Sequence, residues 1–156
     1  WRPGNLNFKD GLTLWLEHLV YCATGGNGTS LMLGRNDSEW RFPAITADDA
    51  LHQLARYVAG YREGMCSPLL LTESGAAWLE ESYDESSGEL LRDEAAQKKA
   101  RNKLLARWQG NYQIEGEGSD PYLQRVIRTL DETYLLAMTE NAERWLLPLL
   151  QAHRSV

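Results

Sequence analysis

The chain has 156 residues, 43% hydrophobic and 10% aromatic, with 16 Lys+Arg against 22 Asp+Glu and a net charge of −6. That length fits one domain over 1–156, and the apolar share excludes wholesale disorder. Two cysteines, Cys22 and Cys66, exclude a disulfide scaffold and a four-cysteine zinc site. The acidic balance argues against an isolated non-specific DNA binder.

The longest apolar runs, such as Leu69–Leu71 and Trp145–Leu150, fall far short of the roughly 20 residues of a membrane span. The chain opens at Trp1 rather than Met and is read as a fragment of something longer. With no basic-then-apolar leader and few cysteines, the expected location is a reducing cytoplasm.

In chain order, Asp10–Ala23 carries Leu12, Leu16, Leu19, Val20 and Ala23 near a helical period, and Gly25–Gly28 stops it. Thr29–Leu33 and Trp40–Phe42 read as a hairpin around the polar turn Gly34–Glu39. Thr46 and Asp49 start a helix that Gly64 ends, with Leu51, Leu54, Ala55, Val58 and Tyr61 as its expected apolar face. Ser67–Leu71 is expected as an extended buried connection, Thr72–Ser82 as a short helix, and Asp84–Gly88 as a polar turn.

Leu90–Trp108 repeats Ala96, Ala100, Leu104 and Trp108 at spacing four, and Gly110 closes it. An acidic loop over 115–121 leads through Asp120 and Pro121 into a helix whose face is Leu123, Val126, Ile127, Leu130 and Tyr134. A last helix is expected from Thr139 to Ala152, kinked at Pro148. The expected class is α+β, mostly helical, with one small β-hairpin.

Several catalytic signatures are missing. There is no HExxH, no CxxC, no Walker loop and no GxGxxG, and His18, His52 and His153 share no metal-ligand spacing. A Mg²⁺-dependent nuclease of the restriction type needs an Asp/Glu-x-Lys core to hold the metal and polarise water. The residues two before Lys9, Lys98, Lys99 and Lys103 are Asn7, Ala96, Gln97 and Arg101, so no such triplet exists. No catalytic residue, metal ligand or cofactor is assigned.

One charged feature stands out. Lys98, Lys99, Arg101, Lys103 and Arg107 fall in a stretch from Ala95 to Ile114 that holds no acid, and Lys99, Lys103 and Arg107 form one helical stripe. They are the candidate contacts to DNA phosphates or to an acidic partner surface; the simpler reading is a solvated face. Trp15, Trp78, Trp108 and Trp145 lie in helical segments and read as core. A surplus of Trp and Tyr beyond what one small core hides would mark an interface. His18 and Cys22, one turn apart, read as a buried thiol beside a satisfied imidazole before they read as a catalytic pair. Asn27-Gly28-Thr29 and Asn36-Asp37-Ser38 match glycosylation acceptors but read as turns.

Taken in order, Leu14–Leu19, Cys22–Gly26, Trp40–Pro43, Gly60–Met65, Pro68–Leu71 with Glu73–Leu79, and Ala142–Leu149 resemble the extreme C-terminus of the RecC family, the gamma chain of exodeoxyribonuclease V (the RecBCD helicase–nuclease). The resemblance spans nearly the whole chain and is most specific over 60–79. It implies the C-terminal part of a catalytically dead, restriction-endonuclease-like domain of the PD-(D/E)xK type, similar to the nuclease domain of the partner RecB. In active relatives a metal-binding strand ends Asp-x-Lys-x-Gly and the next helix carries Gln-x-x-x-Tyr. Arg2-Pro3-Gly4 matches the tail of that strand, and Glu17 and Tyr21 stand at the helix spacing, with Glu in place of Gln.

The implied partners are RecB- and RecD-like subunits, with DNA met through the whole complex and no membrane. No Chi-contact residue carries over. Three functions follow. The first is a non-catalytic interaction domain in double-strand break repair that docks subunits and shapes the DNA path. The second is a fragment of an active Mg²⁺-dependent nuclease whose ligands lie upstream. The third is a nucleic-acid-binding helical domain using Lys98–Arg107. A lone hairpin is marginal in water, so this one should pack on helices or extend a sheet whose other strands precede Trp1.

Overall fold

The computed structural model describes residues 3–154, with the side chain of Arg154 outside the description. The chain divides into two compact units, Trp1–Ser67 with Pro148–Val156, and Pro68–Leu147.

In the first unit, α1 (Phe8–Ala23) opens with a reciprocal cap. The Asn7 side chain accepts from the Asp10 N–H at 3.1 Å, and the Asp10 carboxylate accepts from the Asn7 N–H at 3.0 Å. Its buried face is Gly11, Leu14, Trp15, His18, Leu19 and Cys22. The expected face held Leu19 but also Val20, which is 53% exposed. Period counting on aliphatic residues alone placed the face about one position off, because Trp15, His18 and Cys22 carry it.

Strands β1 (Ser30–Leu33) and β2 (Glu39–Phe42) pair antiparallel, with Leu31 opposite Arg41 and Met32 opposite Trp40. Asn36 and Asp37 turn the hairpin at φ +55 and +57, a conformation these short polar side chains tolerate. Trp40 and Phe42 are buried. The Phe42 ring packs tilted against Trp15 at 4.9 Å between centroids, and the Trp40 indole N–H donates to the Asn7 carbonyl at 3.0 Å. A Cβ on Gly11 would stand 2.5 Å from the Trp40 ring, so helix and hairpin close only over a glycine.

Helix α2 (Ala47–Gly64) is capped by Thr46, whose hydroxyl accepts from the Asp49 N–H. Its expected apolar face is not its packed one. Ala50 and Gly60 are buried, whereas Leu51, Val58 and Tyr61 are 54%, 52% and 70% exposed. Small residues let α2 sit close to its own unit, and this turns the larger apolar residues into solvent. The connection at Ser67–Leu71 is likewise more open than expected: Leu70 is buried, but Ser67, Pro68 and Leu71 are exposed.

The second unit holds α3 (Glu73–Ser82), α4 (Glu94–Gln109), α5 (Pro121–Val126) and most of α6 (Glu132–Arg154), whose turns from Pro148 belong to the first unit. Helices α3 and α4 pack on each other. The expected spacing-four row is confirmed at Ala100 and Leu104, 0% and 1% exposed, with Ala96 and Trp108 half-buried. The unit's core adds Trp78, Leu79, Met138, Ala142 and Trp145.

Two expected elements change. Residues 83–90 form a second hairpin, β3 (Tyr83–Asp84) with β4 (Glu89–Leu90), where the long helix was expected to begin at Leu90. Gly88 at φ +72 closes its turn, and the Asp84 carboxylate accepts from the Ser86 N–H and hydroxyl and from the Ser87 hydroxyl. The helix from Pro121 ends at Val126 instead of running to Tyr134. Asp131 caps α6 by accepting from the Tyr134 N–H at 3.1 Å, so the helix begins at Glu132, seven residues before the expected Thr139. The helix continues through Pro148. The molecule is thus α+β and mostly helical, with two small antiparallel hairpins.

Candidate functional site

Helix α4 carries all five candidate contacts, and four of them already have acidic neighbours. Lys99 pairs with Glu81 of α3, and Lys103 lies 3.8 Å from the other oxygen of the same carboxylate. Arg101 forks onto Glu132 of α6, with one bond at 2.8 Å, and Arg107 pairs with Glu73 at the start of α3. Lys98 has no ion pair among the described residues.

The stretch that is acid-free in sequence is therefore acid-lined in space. The Lys99 ammonium, by hydrogen bonding, holds the Glu81 carboxyl below the usual range, and Lys103 adds to it. Arg101 does the same for Glu132. On the cation side these pairs remain wet: the Lys99 and Lys103 side chains are 72% and 60% exposed against 18% for Glu81, a regime in which an ion pair contributes little.

Beside them, a groove of about 640 Å³ runs between α3 and α4, lined among others by Glu80, Glu81, Lys103, Arg107 and Asn111. It mixes both charge signs. The acidic loop is fastened nearby by Glu117, whose carboxylate accepts from the Glu73 and Ser74 N–H groups at 2.7 Å each and from the Ser74 hydroxyl at 2.6 Å. A carboxylate in that position satisfies donors the helix start leaves open and meets the positive end of its dipole. Nothing in the spacing of Glu117 to Ser74 announced this lock.

His18 and Cys22 do not form an open reactive pair. The His18 ring is fully buried between the Ser30 hydroxyl and the Pro43 carbonyl, both at 2.8 Å. The Cys22 sulfur lies 3.5 Å from Nε2 and is 1% exposed. The Pro43 carbonyl can only accept, so Nε2 donates to it and the Ser30 hydroxyl serves Nδ1. Both glycosylation-like triplets fall outside helices and strands. Glu17 and Tyr21 are exposed on α1, and Tyr21 lies against Gly26 and Gly28; Trp1 and Arg2 lie outside the described residues. Trp15, Trp78 and Trp145 are core, as expected, and the aromatic surplus appears at Tyr61, Tyr112 and Tyr122, which are 70%, 94% and 77% exposed. Among the described residues no group of three or more His, Cys, Asp or Glu side chains is placed to hold a metal ion, and no helix is long and apolar enough to cross a membrane.

Among the described residues, the two edges of the hairpin are met differently. The Gly34 N–H bonds the Ser38 carbonyl at 2.7 Å, which fixes the ladder so that Leu31, Leu33, Glu39 and Arg41 turn their backbone groups outward. On the β2 side the Arg41 N–H is taken by His153 Nδ1 at 3.1 Å. On the β1 side Leu31 and Leu33 are 46% and 45% exposed, and the next outward group, the Arg35 N–H, bonds the Gly4 carbonyl at 2.9 Å.

Fold and surface together define a mostly helical α+β chain with exposed apolar residues and a cationic helix. A family model described as the RecC C-terminal domain matches residues 1–83. The RecBCD enzyme subunit RecC of Escherichia coli (strain K12) is 48% identical over 156 residues, covering 99% of this chain and 14% of that protein. The proteins of the same name from Buchnera aphidicola subsp. Acyrthosiphon pisum (strain APS) and subsp. Schizaphis graminum (strain Sg) are 38% and 34% identical over 151 residues, 97% of this chain and 14% of each. The chain belongs to the RecC C-terminal domain family, and it spans 14% of the length of these relatives.

Proposed function

We propose that this chain serves as a non-catalytic interaction domain of a RecC-type subunit. It would dock RecB- and RecD-like partners in a RecBCD-type helicase–nuclease of double-strand break repair and help shape the DNA path. The observation that carries the reading is the 48% identity to a RecBCD subunit sustained over 99% of the chain. The surface supports it, since large apolar side chains exposed on α2 and β1 suit a piece that is covered in an assembly. The β1 edge, open among the described residues and reached by Gly4 at Arg35, supports the finer reading of a sheet that continues beyond the hairpin, as in a restriction-endonuclease-like domain. The missing Asp/Glu-x-Lys triplet agrees with a site that has lost its metal chemistry.

The test is a pull-down of this chain against RecB- and RecD-like subunits beside a Mg²⁺-dependent DNA degradation assay. Capture without degradation is the expected result. Cleavage by the purified chain would return it to the nucleases.

A second reading, contact to DNA through Lys98, Lys99, Arg101, Lys103 and Arg107, is favoured by one observation: Lys98 has no ion pair among the described residues and the other four are held by pairs whose cations are well exposed, which phosphates could exchange. Replacing Lys99, Lys103 and Arg107 by Gln in the assembled complex should flatten the salt dependence of DNA affinity. An unchanged slope removes this reading.

A further inference from the structure

The backbone of Arg41 offers the His153 ring two opposite partners. Its N–H lies 3.1 Å from Nδ1, and its carbonyl oxygen lies 3.4 Å from the same nitrogen. The N–H can only donate and the carbonyl can only accept, so the charge state of the ring decides which contact is a bond. The N–H is the closer of the two, and it needs a bare Nδ1, hence a neutral ring with its proton on Nε2. A protonated ring sets one N–H against another there and keeps only the longer contact to the carbonyl.

This bond closes a strand edge. Arg41 turns its backbone groups outward from β2, and His153 stands in the last turn of α6. The ring therefore covers a ladder position that a further strand could otherwise take. It also packs on Trp40 at 4.7 Å and meets Phe42 edge-on at 6.4 Å. The charged side chains that β2 brings, Glu39 and Arg41, pair with each other at 3.3 Å. On α1, His18 meets the same Phe42 ring at 6.0 Å and has both ring nitrogens bonded. On α6, Arg144 sits over the Trp145 ring, and the Arg154 side chain lies outside the description. The carbonyls that end α6 favour a cation here, but as a spread partial charge, whereas the Arg41 N–H opposes one from 3.1 Å.

We propose that His153 is a pH-sensitive latch. The neutral ring holds the last turn of α6 on β2; protonation releases that turn and opens the β2 edge. Imidazole titrates near about 6.5 in water, so the latch is closed at about pH 8 and loosens as the pH falls through that range. The inference stands apart from the subunit reading, because both halves of the latch lie in the first unit of this chain.

The test is hydrogen exchange read by mass spectrometry on the full-length subunit that carries this segment. It runs from about pH 8 to 5.5, with the rates corrected for the pH dependence of intrinsic exchange. Peptides over β2 and over residues 148–153 should exchange about fivefold faster at the acid end, the size expected when one such hydrogen bond is lost, while peptides of α4 hold. His153→Asn brings a carbonyl oxygen to the place of Nδ1 that accepts at every pH, so this variant should stay closed across the range. His153→Leu has no acceptor and should be as open at about pH 8 as the unmodified chain becomes in acid.

A flat profile for the unmodified chain would overturn the proposal. So would His153→Asn opening in acid to the same extent, which would put the response on another group. Full protection of His153→Leu at about pH 8 would do the same, because apolar packing on Trp40 and Phe42 would then hold the turn without the bond.

Discussion

Both units expose large apolar side chains, and they differ in the charged row that one of them adds. In the first, the large exposed side chains include Val20, Leu31, Leu33, Leu51, Val58, Tyr61 and Met65, while the buried polar group His18 is fully bonded. The second exposes Leu91, Tyr112, Ile114, Tyr122 and Leu136 as well, and adds a cationic row, four of whose five members face acids of their own chain. Apolar surface in water is a standing cost that only a covering partner removes. Exposed ion pairs are nearly neutral in energy and exchange freely. On the proposed reading, the exposed apolar surface would suit a persistent contact, and the cationic row of the second unit a contact that salt can weaken. The family match over residues 1–83 contains α1, the first hairpin and α2, and stops before α4.

The largest test of the contrast is in the cores. Phe42 is 0% exposed and packs against Trp15, so Phe42→Ala should cost about 3–5 kcal/mol in denaturant unfolding. In the second unit Leu104, 1% exposed, should cost about 2–5 kcal/mol as Leu104→Ala. Hydrogen exchange should show Phe42→Ala lowering protection of α1 amides first, and Leu104→Ala that of α3 and α4. Equal loss everywhere from either variant would merge the two units into one cooperative block.

Next in size is the Glu117 lock. Glu117→Ala removes three accepted hydrogen bonds and leaves the Glu73 and Ser74 N–H groups without their acceptor, a change worth about 1–3 kcal/mol. Faster exchange at those two amides, with α1 amides untouched, is the expected result. Glu117→Gln should recover part of the loss, because one amide oxygen still accepts.

Much of this was readable in the sequence. Caps at Thr46 and Asp120, stops at Gly64 and Gly110, and the Ala100–Leu104 row are local signals, and the structure keeps them. What escaped depended on partners far along the chain. The packed face of α2 is set by Ala50 and Gly60, which a hydrophobicity count ignores. The break after Val126 follows from Asp131 capping a new helix, a signal present but outcompeted by the run Leu123, Val126, Ile127, Leu130. The cations of α4 were legible as a stripe, but their acids come from Glu73, Glu81 and Glu132 on other helices, and no periodicity reveals those.

The smallest effect is electrostatic and sharpens the contrast most cheaply. Glu81 and Glu132 are held below the ordinary value of 4.5 by Lys99 and Arg101, and Asp84 below 3.8, first by the Ser86 hydroxyl. A carboxyl with a depressed folded pKa makes the unfolded chain bind more protons in acid, so stability rises with pH through that range. Each contribution is complete above the ordinary value and disappears as the pH falls below it and through the lower folded one. All three groups lie in the second unit. Titration from about pH 6 to 3 should therefore release α3 and α4 amides to exchange while adding little at α1. Salt at about 0.5 M should shrink the part due to Glu81 and Glu132, whose partners are charged and exposed. It should spare the part due to Asp84, whose partners are neutral hydroxyls and a backbone N–H. An acid response unchanged by salt would mean that the α4 pairs contribute nothing to holding the unit together, and that its cations are as available to an outside anion as their sequence spacing suggested.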